Sequence, residues 1–287
     1  MIVKIFKKLF LNIPETVKFV SNIEGKISRD KALKSILETF SRKIVLIDCF
    51  PAKKRTGQID SKIGGYPYIE KNGLWPVCIL CNVPLKFVMQ LNKDDFPEFY
   101  FPHGCNLFQI FTCQNSETAE MLDESFNDQH YFWFYFKAEE NFEWNINVIS
   151  ESDDQCYRSQ YSDIPECCLN RKSMVEYPDF YNYPPKVREF IDSRYSPLVQ
   201  EYIAKKFMSA WGIKIGGYPK YFDASDIPSC CCGKSKELLL QISVNPDQYR
   251  NFDDAPSTRV VDECVIICLF ICRDCGVNSI EIKDTYF

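Results

Sequence analysis

Apolar residues follow two kinds of spacing along the chain, and the change comes near residue 43. Before it, Ile2, Ile5, Phe6, Leu9, Phe10 and Ile13 recur at i, i+3, i+4, i+7, i+8 and i+11. That is one face of a 3.6-residue period, and Lys4, Lys7 and Lys8 fall away from it, so the spacing predicts an amphipathic helix. A second helix is expected from about Ser28, a residue suited to an N-cap, through Ala32, Leu33, Ile36, Leu37 and Phe40. The first helix has two readings. One is a membrane-surface or targeting element; the other, the commoner fate of such a face, buries Ile2, Ile5, Phe6, Leu9 and Phe10 against the chain's own body.

After residue 43 the texture becomes short runs rich in β-branched and aromatic residues, at 43–50, 85–91, 107–111, 131–136 and 144–149, separated by Pro, Gly, Asn and Asp. Residues 151–170, polar and acidic with Cys167 and Cys168 adjacent, read as a surface loop. Pro184-Pro185 precedes a helical stretch over 186–211, and strands are expected again at 237–244, 264–272 and 278–282.

The hexapeptide Lys62-Ile63-Gly64-Gly65-Tyr66-Pro67 recurs unchanged at Lys214-Ile215-Gly216-Gly217-Tyr218-Pro219. Glycine makes up only 11 of 287 residues, which gives a repeated Gly-Gly more weight. Both copies lead into cysteines and then a strand: WPVCILC then PLKFVMQLN, and PSCCCG then ELLLQIS. Cys81 precedes Gln90 by nine residues, as Cys232 precedes Gln241, and IFTC (110–113) aligns with LFIC (269–272). A shared order of glycines, thiols and strands indicates an internal duplication. The predicted fold is therefore α+β: two tandem, mostly antiparallel β repeats packed together, with N-terminal helices and a helical segment between the repeats. The expected boundaries are a helical extension over 1–42, a first repeat over 43–185, and a helical segment plus second repeat over 186–287, all in one compact unit. The Gly-Gly pairs read as backbone devices, since an anion-binding nest lacks a helix start to support it.

Charge is uneven: residues 1–60 hold 13 basic and 6 acidic side chains, whereas the whole chain has net −5. An acidic balance argues against nucleic acid as partner. The N-terminal lysines interrupt every apolar stretch and no small-residue cleavage site follows, so a secretory signal is not expected. The longest apolar run, residues 265–272, is too short to span a membrane. A cytoplasmic setting is the expectation, and there the 15 cysteines are better read as thiols or metal ligands than as disulfides.

Structural zinc takes four soft ligands in a tetrahedron from two short knuckles. Cys272-x-x-Cys275-Gly276 has the knuckle spacing, and the 230–232 cluster offers the other pair, most simply Cys230 and Cys232. The alternative is a set of inert buried cysteines. The first half offers Cys78, Cys81 and Cys113 but has Ser116 where the repeat calls for a fourth thiol; His103, Cys105 and His130 are the candidate replacements.

These residues also carry a likeness. The stretch SKIGGYPYIEKNGLWPVCILCNVPLKFVMQLN, with NLFQIFTC and the later KIGGYPKYF…LLLQIS, resembles the YwqG-like family of domains of unknown function over about residues 60–275. It distantly resembles ribosomal-protein chaperones related to programmed cell death protein two. The resemblance implies a duplicated antiparallel β architecture and, for some relatives, escort of a new ribosomal protein. Asn82, in place of the glycine expected after the second cysteine, and Ser116 depart from the pattern.

The resulting expectation is a non-enzymatic protein-binding module stabilised by a Cys-rich zinc site, chaperone- or adaptor-like for a basic client. Acidic runs at Asp94-Asp95, Glu139-Glu140 and 151–154 offer candidate surface. The alternative is a thiol redox or other enzyme using a C-x-x-C pair. Only two histidines are present, and no Walker loop, nucleophile elbow or H-E-x-x-H motif supports catalysis.

Overall fold

The computed structural model describes residues 13–70, 74–79, 81–113, 131–138, 164–223, 225–243 and 265–286. The expected helical face at Ile2 to Phe10, the strand at 144–149 and the acidic runs at 139–140 and 151–154 lie outside these residues. The chain separates into two compact units: residues 1–42 with 175–209, and residues 43–174 with 210–287.

The first unit is helical. α1 (Ile13–Arg29) and α2 (Lys31–Phe40) meet at Asp30, and α3 (Pro185–Arg194) and α4 (Pro197–Lys206) follow later in the chain. Asp30, not Ser28, caps α2: its Oδ1 accepts from Ala32 N at 3.0 Å and Leu33 N at 3.2 Å. Ser28 lies inside α1 and donates back to Gly25 O. A carboxylate serving two free N–H groups is the stronger cap. The helical segment expected over 186–211 is two helices, because Pro197 has no N–H with which to continue α3. Ile23, Ile27, Leu33 and Leu37 bury their apolar stripe against Ile191, Tyr195, Val199, Tyr202 and Ile203. No helix among the described residues is long and apolar enough to cross a membrane.

The second unit is built on one sheet. Its strands are β1 (Arg42–Pro51), β2 (Lys62–Ile63), β3 (Lys86–Asn92), β4 (Leu107–Thr112), β5 (Tyr131–Phe136), β6 (Cys167–Glu176), β7 (Ile213–Ile215), β8 (Glu237–Ser243), β9 (Val265–Ile271) and β10 (Glu281–Tyr286). Their order is β10-β9-β8-β7-β1-β6-β2-β3-β4-β5. The fold is thus α+β with a large antiparallel sheet consistent with tandem repeats, as expected. Two details differ. Cys167 to Asn170, expected in a loop, begin β6, with Cys167 buried. The last strand starts at Glu281 after a 3-10 turn over Gly276–Ser279.

The two halves pair in the same register. Lys62 faces Gln90 as Lys214 faces Gln241. A one-residue irregularity falls between Phe87 and Met89 in β3 and between Leu238 and Leu240 in β8. The first strand of each half is exchanged: β1 pairs with β7 through Val45 and Ile215, and β6 pairs with β2 through Cys167 and Ile63. A single core, including Ile63, Met89, Phe108 and Ile110 from one half and Ile215, Leu240, Ile267 and Leu269 from the other, crosses the boundary. The opposite face has its own cluster in each half, around Phe87 and Phe111, and around Leu238 and Phe270. Burial on both faces explains why these strands read as unbroken apolar runs.

The repeated hexapeptide has a physical role in this pairing. Each lysine is buried, and its ammonium donates to the carbonyl four residues on: Lys62 to Tyr66 O at 3.1 Å, Lys214 to Tyr218 O at 2.6 Å. Lys62 also donates to Gly57 O. Burial draws its pKa down to about 8 against the pull of Glu166 and Asp60. Each buried glutamine then ties the loop before the hexapeptide to the segment after it. Gln90 Oε1 accepts from Tyr68 N at 2.8 Å while its Nε2 donates to Gln58 O and Asp60 O. Gln241 Oε1 accepts from Lys220 N at 2.9 Å while its Nε2 donates to Ala210 O and Gly212 O. A slip of one residue would break these buried hydrogen bonds together, which makes the register costly to change.

Candidate metal centre

In the second half, a short hairpin tip precedes β8, closed by pairing of Ser229 with Ser235. Cys230 O accepts from Gly233 N at 2.8 Å, and Gly233 takes a left-handed φ of 83°. The turn after β9 repeats the device, with Cys272 O accepting from Gly276 N at 2.9 Å and Gly276 at φ 63°. Each turn folds its thiols to one side, so the sulfurs of Cys230, Cys232, Cys272 and Cys275 all lie within 4.8 Å of one another. The sulfurs of Cys232 and Cys272 stand 3.6 Å apart. Cys230 and Cys272 are buried, Cys275 is partly so, and Cys232 is exposed. Cys231, also exposed, turns out of the group although its sulfur is 3.9 Å from that of Cys230.

The backbone of Cys275, with that of Asp274, hydrogen-bonds the Cys272 sulfur and draws its pKa down to about 7 against desolvation. Cys275 moves up, because the sulfurs of Cys230 and Cys232 share hydrogen bonds with it. Three ion pairs ring the site: Lys234 with Asp274, Arg273 with Glu237, and Lys236 with Glu281. Against Gly276, the Tyr100 hydroxyl lies 2.7 Å from where a Cβ would stand, so a larger residue in that turn would have to displace the Tyr100 side chain.

The first half forms the same tip with Val77 paired to Pro84 and Asn82, at φ 57°, in the place of Gly233. Cys78, Cys81 and Cys113 bring their sulfurs within 4.8 Å of one another, Cys81 and Cys113 at 3.6 Å. Neither His103 nor Cys105 joins them. Ser116 and His130 lie outside the described residues. The tip differs in its exposed residues: Leu74, Val77, Ile79 and Val83 are all open to solvent.

The remaining described cysteines divide by burial, which sequence spacing did not reveal. Burial pushes the Cys49 thiol up to about 12 and Cys167 up to about 11, and it raises Cys268 further. Such thiols pack as small apolar groups. Within the acidic stretch that begins at Asp94, Asp95 accepts from Ser61 N and Glu98 pairs with Arg171.

A protein with a large antiparallel sheet consistent with tandem repeats, and with a cluster of thiols in each half, is the class these features define. The chain belongs to the family described as a domain of unknown function, DUF1963, whose model matches residues 61–259. That span holds both hexapeptides, the three thiols of the first half, and Cys230 and Cys232; it stops before Cys272 and Cys275. No curated protein matches the chain.

Proposed function

We propose that the β unit is a non-enzymatic protein-binding scaffold fastened by a structural zinc ion on Cys230, Cys232, Cys272 and Cys275. The convergence of four sulfurs within 4.8 Å carries this reading. Zinc–sulfur bonds of about 2.3 Å put tetrahedral sulfurs roughly 4 Å apart. Four thiolates fill the tetrahedron and leave no position for substrate, which favours a structural role over a catalytic one. The ion would join the tip before β8 to the turn after β9, 40 residues apart in sequence between Cys232 and Cys272. Cys78, Cys81 and Cys113 would hold a second ion only with a fourth ligand from elsewhere.

The β unit has 20 basic and 30 acidic side chains, a balance suited to a basic client such as a ribosomal protein. A chaperone or adaptor role in the cytoplasm is consistent with that charge and with the chaperone likeness. Elemental analysis of the purified chain tests the metal: wild type should carry zinc, Cys272→Ser and Cys275→Ser should each lose one equivalent, and Cys231→Ser should lose none. Equal zinc in all four proteins would refute the site. A reversible Cys272–Cys275 disulfide in zinc-free protein would favour the thiol redox alternative. For the client, a purified basic ribosomal protein should bind and an acidic protein of similar size should not, at about 0.15 M salt.

A further inference from the structure

The helical unit carries a charged cleft unrelated to the thiols. Lys26, Arg29, Asp30, Arg194 and Tyr195 line it, and its volume is about 340 Å³. α1 supplies Lys26 and Arg29 from its last turn, and α3 ends in Arg194. A helix C-terminus favours such cations one at a time, but it does not explain why two helix ends converge on a single carboxylate. That carboxylate is already engaged. Asp30 Oδ1 caps α2, while its Oδ2 accepts from the Tyr195 hydroxyl at 2.6 Å and from Arg194 Nε. The Tyr195 hydroxyl, with Arg194 and the cap, holds the carboxyl down at about 2, so it stays ionised and fixes Arg194 and Tyr195 in place.

Lys26 and Arg29 have no such partner. The Lys26 ammonium stands 5.6 Å from the centre of the Tyr195 ring, and Arg29 spends only its Nε, on Gly25 O at 2.7 Å. Among the described residues neither meets a carboxylate. The cleft therefore has three cations and one anion, with two cations unneutralised. The whole helical unit is basic, 14 against 9 side chains, while the β unit is acidic, so an approaching anion is drawn to this unit.

We propose that this cleft binds a phosphomonoester group, clamped by Lys26, Arg29 and Arg194. A dianion matches the net double positive charge, whereas a lone carboxylate would leave one cation unmatched. Arginine's fork suits phosphate oxygens, and the volume lies at the lower end of small-ligand sites. Three cations at one point are too few to track a nucleic-acid backbone. The group's source is either a free small molecule or a lipid headgroup.

The test uses the full chain with two probes. Thermal unfolding is followed with inorganic phosphate against chloride at equal ionic strength. Co-sedimentation is measured with phosphatidylcholine vesicles lacking or containing phosphatidylinositol 4-phosphate. Wild type should respond to phosphate, and vesicle binding that phosphate competes away identifies the headgroup source; a phosphate response without vesicle binding identifies the free source. Lys26→Gln with Arg29→Gln should weaken the response by about tenfold or more. Lys31→Gln with Lys34→Gln removes equal charge from α2 and should change it by about twofold at most. Arg29→Lys, which keeps the charge but not the fork, should fall between and is informative if the double variant is unstable. Full binding by the Lys26/Arg29 variant, equal loss in the Lys31/Lys34 variant, or no response to either probe would overturn the site.

Discussion

The two hairpin tips share a backbone plan and differ in chemistry. Both sit before a buried strand, both turn through a left-handed residue, and both face a cysteine at the end of the next strand. The second gathers four thiols among ion pairs; the first gathers three thiols among exposed apolar side chains. The identical hexapeptides and their glutamines maintain the register, while the residues around the tip decide what each half can hold. Two halves paired alike can share their hydrogen bonding while differing in the chemistry at their tips.

The largest expected effect separates the tips directly. Chelation of the proposed zinc, or Cys272→Ser, should destabilise the second half by several kcal/mol, because metal binding energy is folding energy. Hydrogen exchange should show β8, β9 and β10 losing protection before β3 and β4. Uniform loss across the sheet would instead mean that the shared core unfolds as one body.

Next come the glycines of the hexapeptide. A Cβ on Gly64 would stand 2.2 Å from Ile164 O, whereas one on Gly216 would meet nothing within 4 Å. Both residues hold positive φ, which costs a non-glycine residue about 1–2 kcal/mol. Gly216→Ala should lose about that much, and Gly64→Ala clearly more, by denaturant unfolding. Equal losses would show that the close approach at Gly64 relaxes freely.

The glutamines sharpen the comparison further. Gln90→Leu and Gln241→Leu each leave buried groups unsatisfied, at about 1–3 kcal/mol per group. Gln90 should cost more, because Gln109 also donates to it at 2.7 Å, and Cys268 faces Gln241 in the corresponding place. Asn82→Gly should have the smallest effect, a gain of about 0.5 kcal/mol in thermal unfolding, since glycine occupies that conformation more readily.

The strands are legible in the sequence where their signal is local. β3, β4, β5 and β8 fall on the expected runs to within a residue, because their apolar content is continuous and bounded by turn residues. The thiol pairs were legible as spacing, and the matched offsets to Gln90 and Gln241 anticipated the common register. β6 was missed: most of its residues are exposed and polar, so it carries no strand pattern of its own. The only local sign of the separation of α3 from α4 is Pro197, at the start of α4. The cleft on Lys26, Arg29 and Arg194 had no signal, since its residues come from helix ends 164 positions apart between Asp30 and Arg194.

By itself, then, the sequence marked the strands with continuous apolar runs, the recurrence of the hexapeptide, and the cysteines at knuckle spacing. All of these depend on neighbours within a few residues. Tertiary structure decided that β1 and β6 exchange places, that Lys26, Arg29 and Arg194 meet at Asp30, and that four particular thiols of a cysteine-rich chain come together. Those outcomes depend on pairing and burial between distant segments, and residue order records no distance across a sheet.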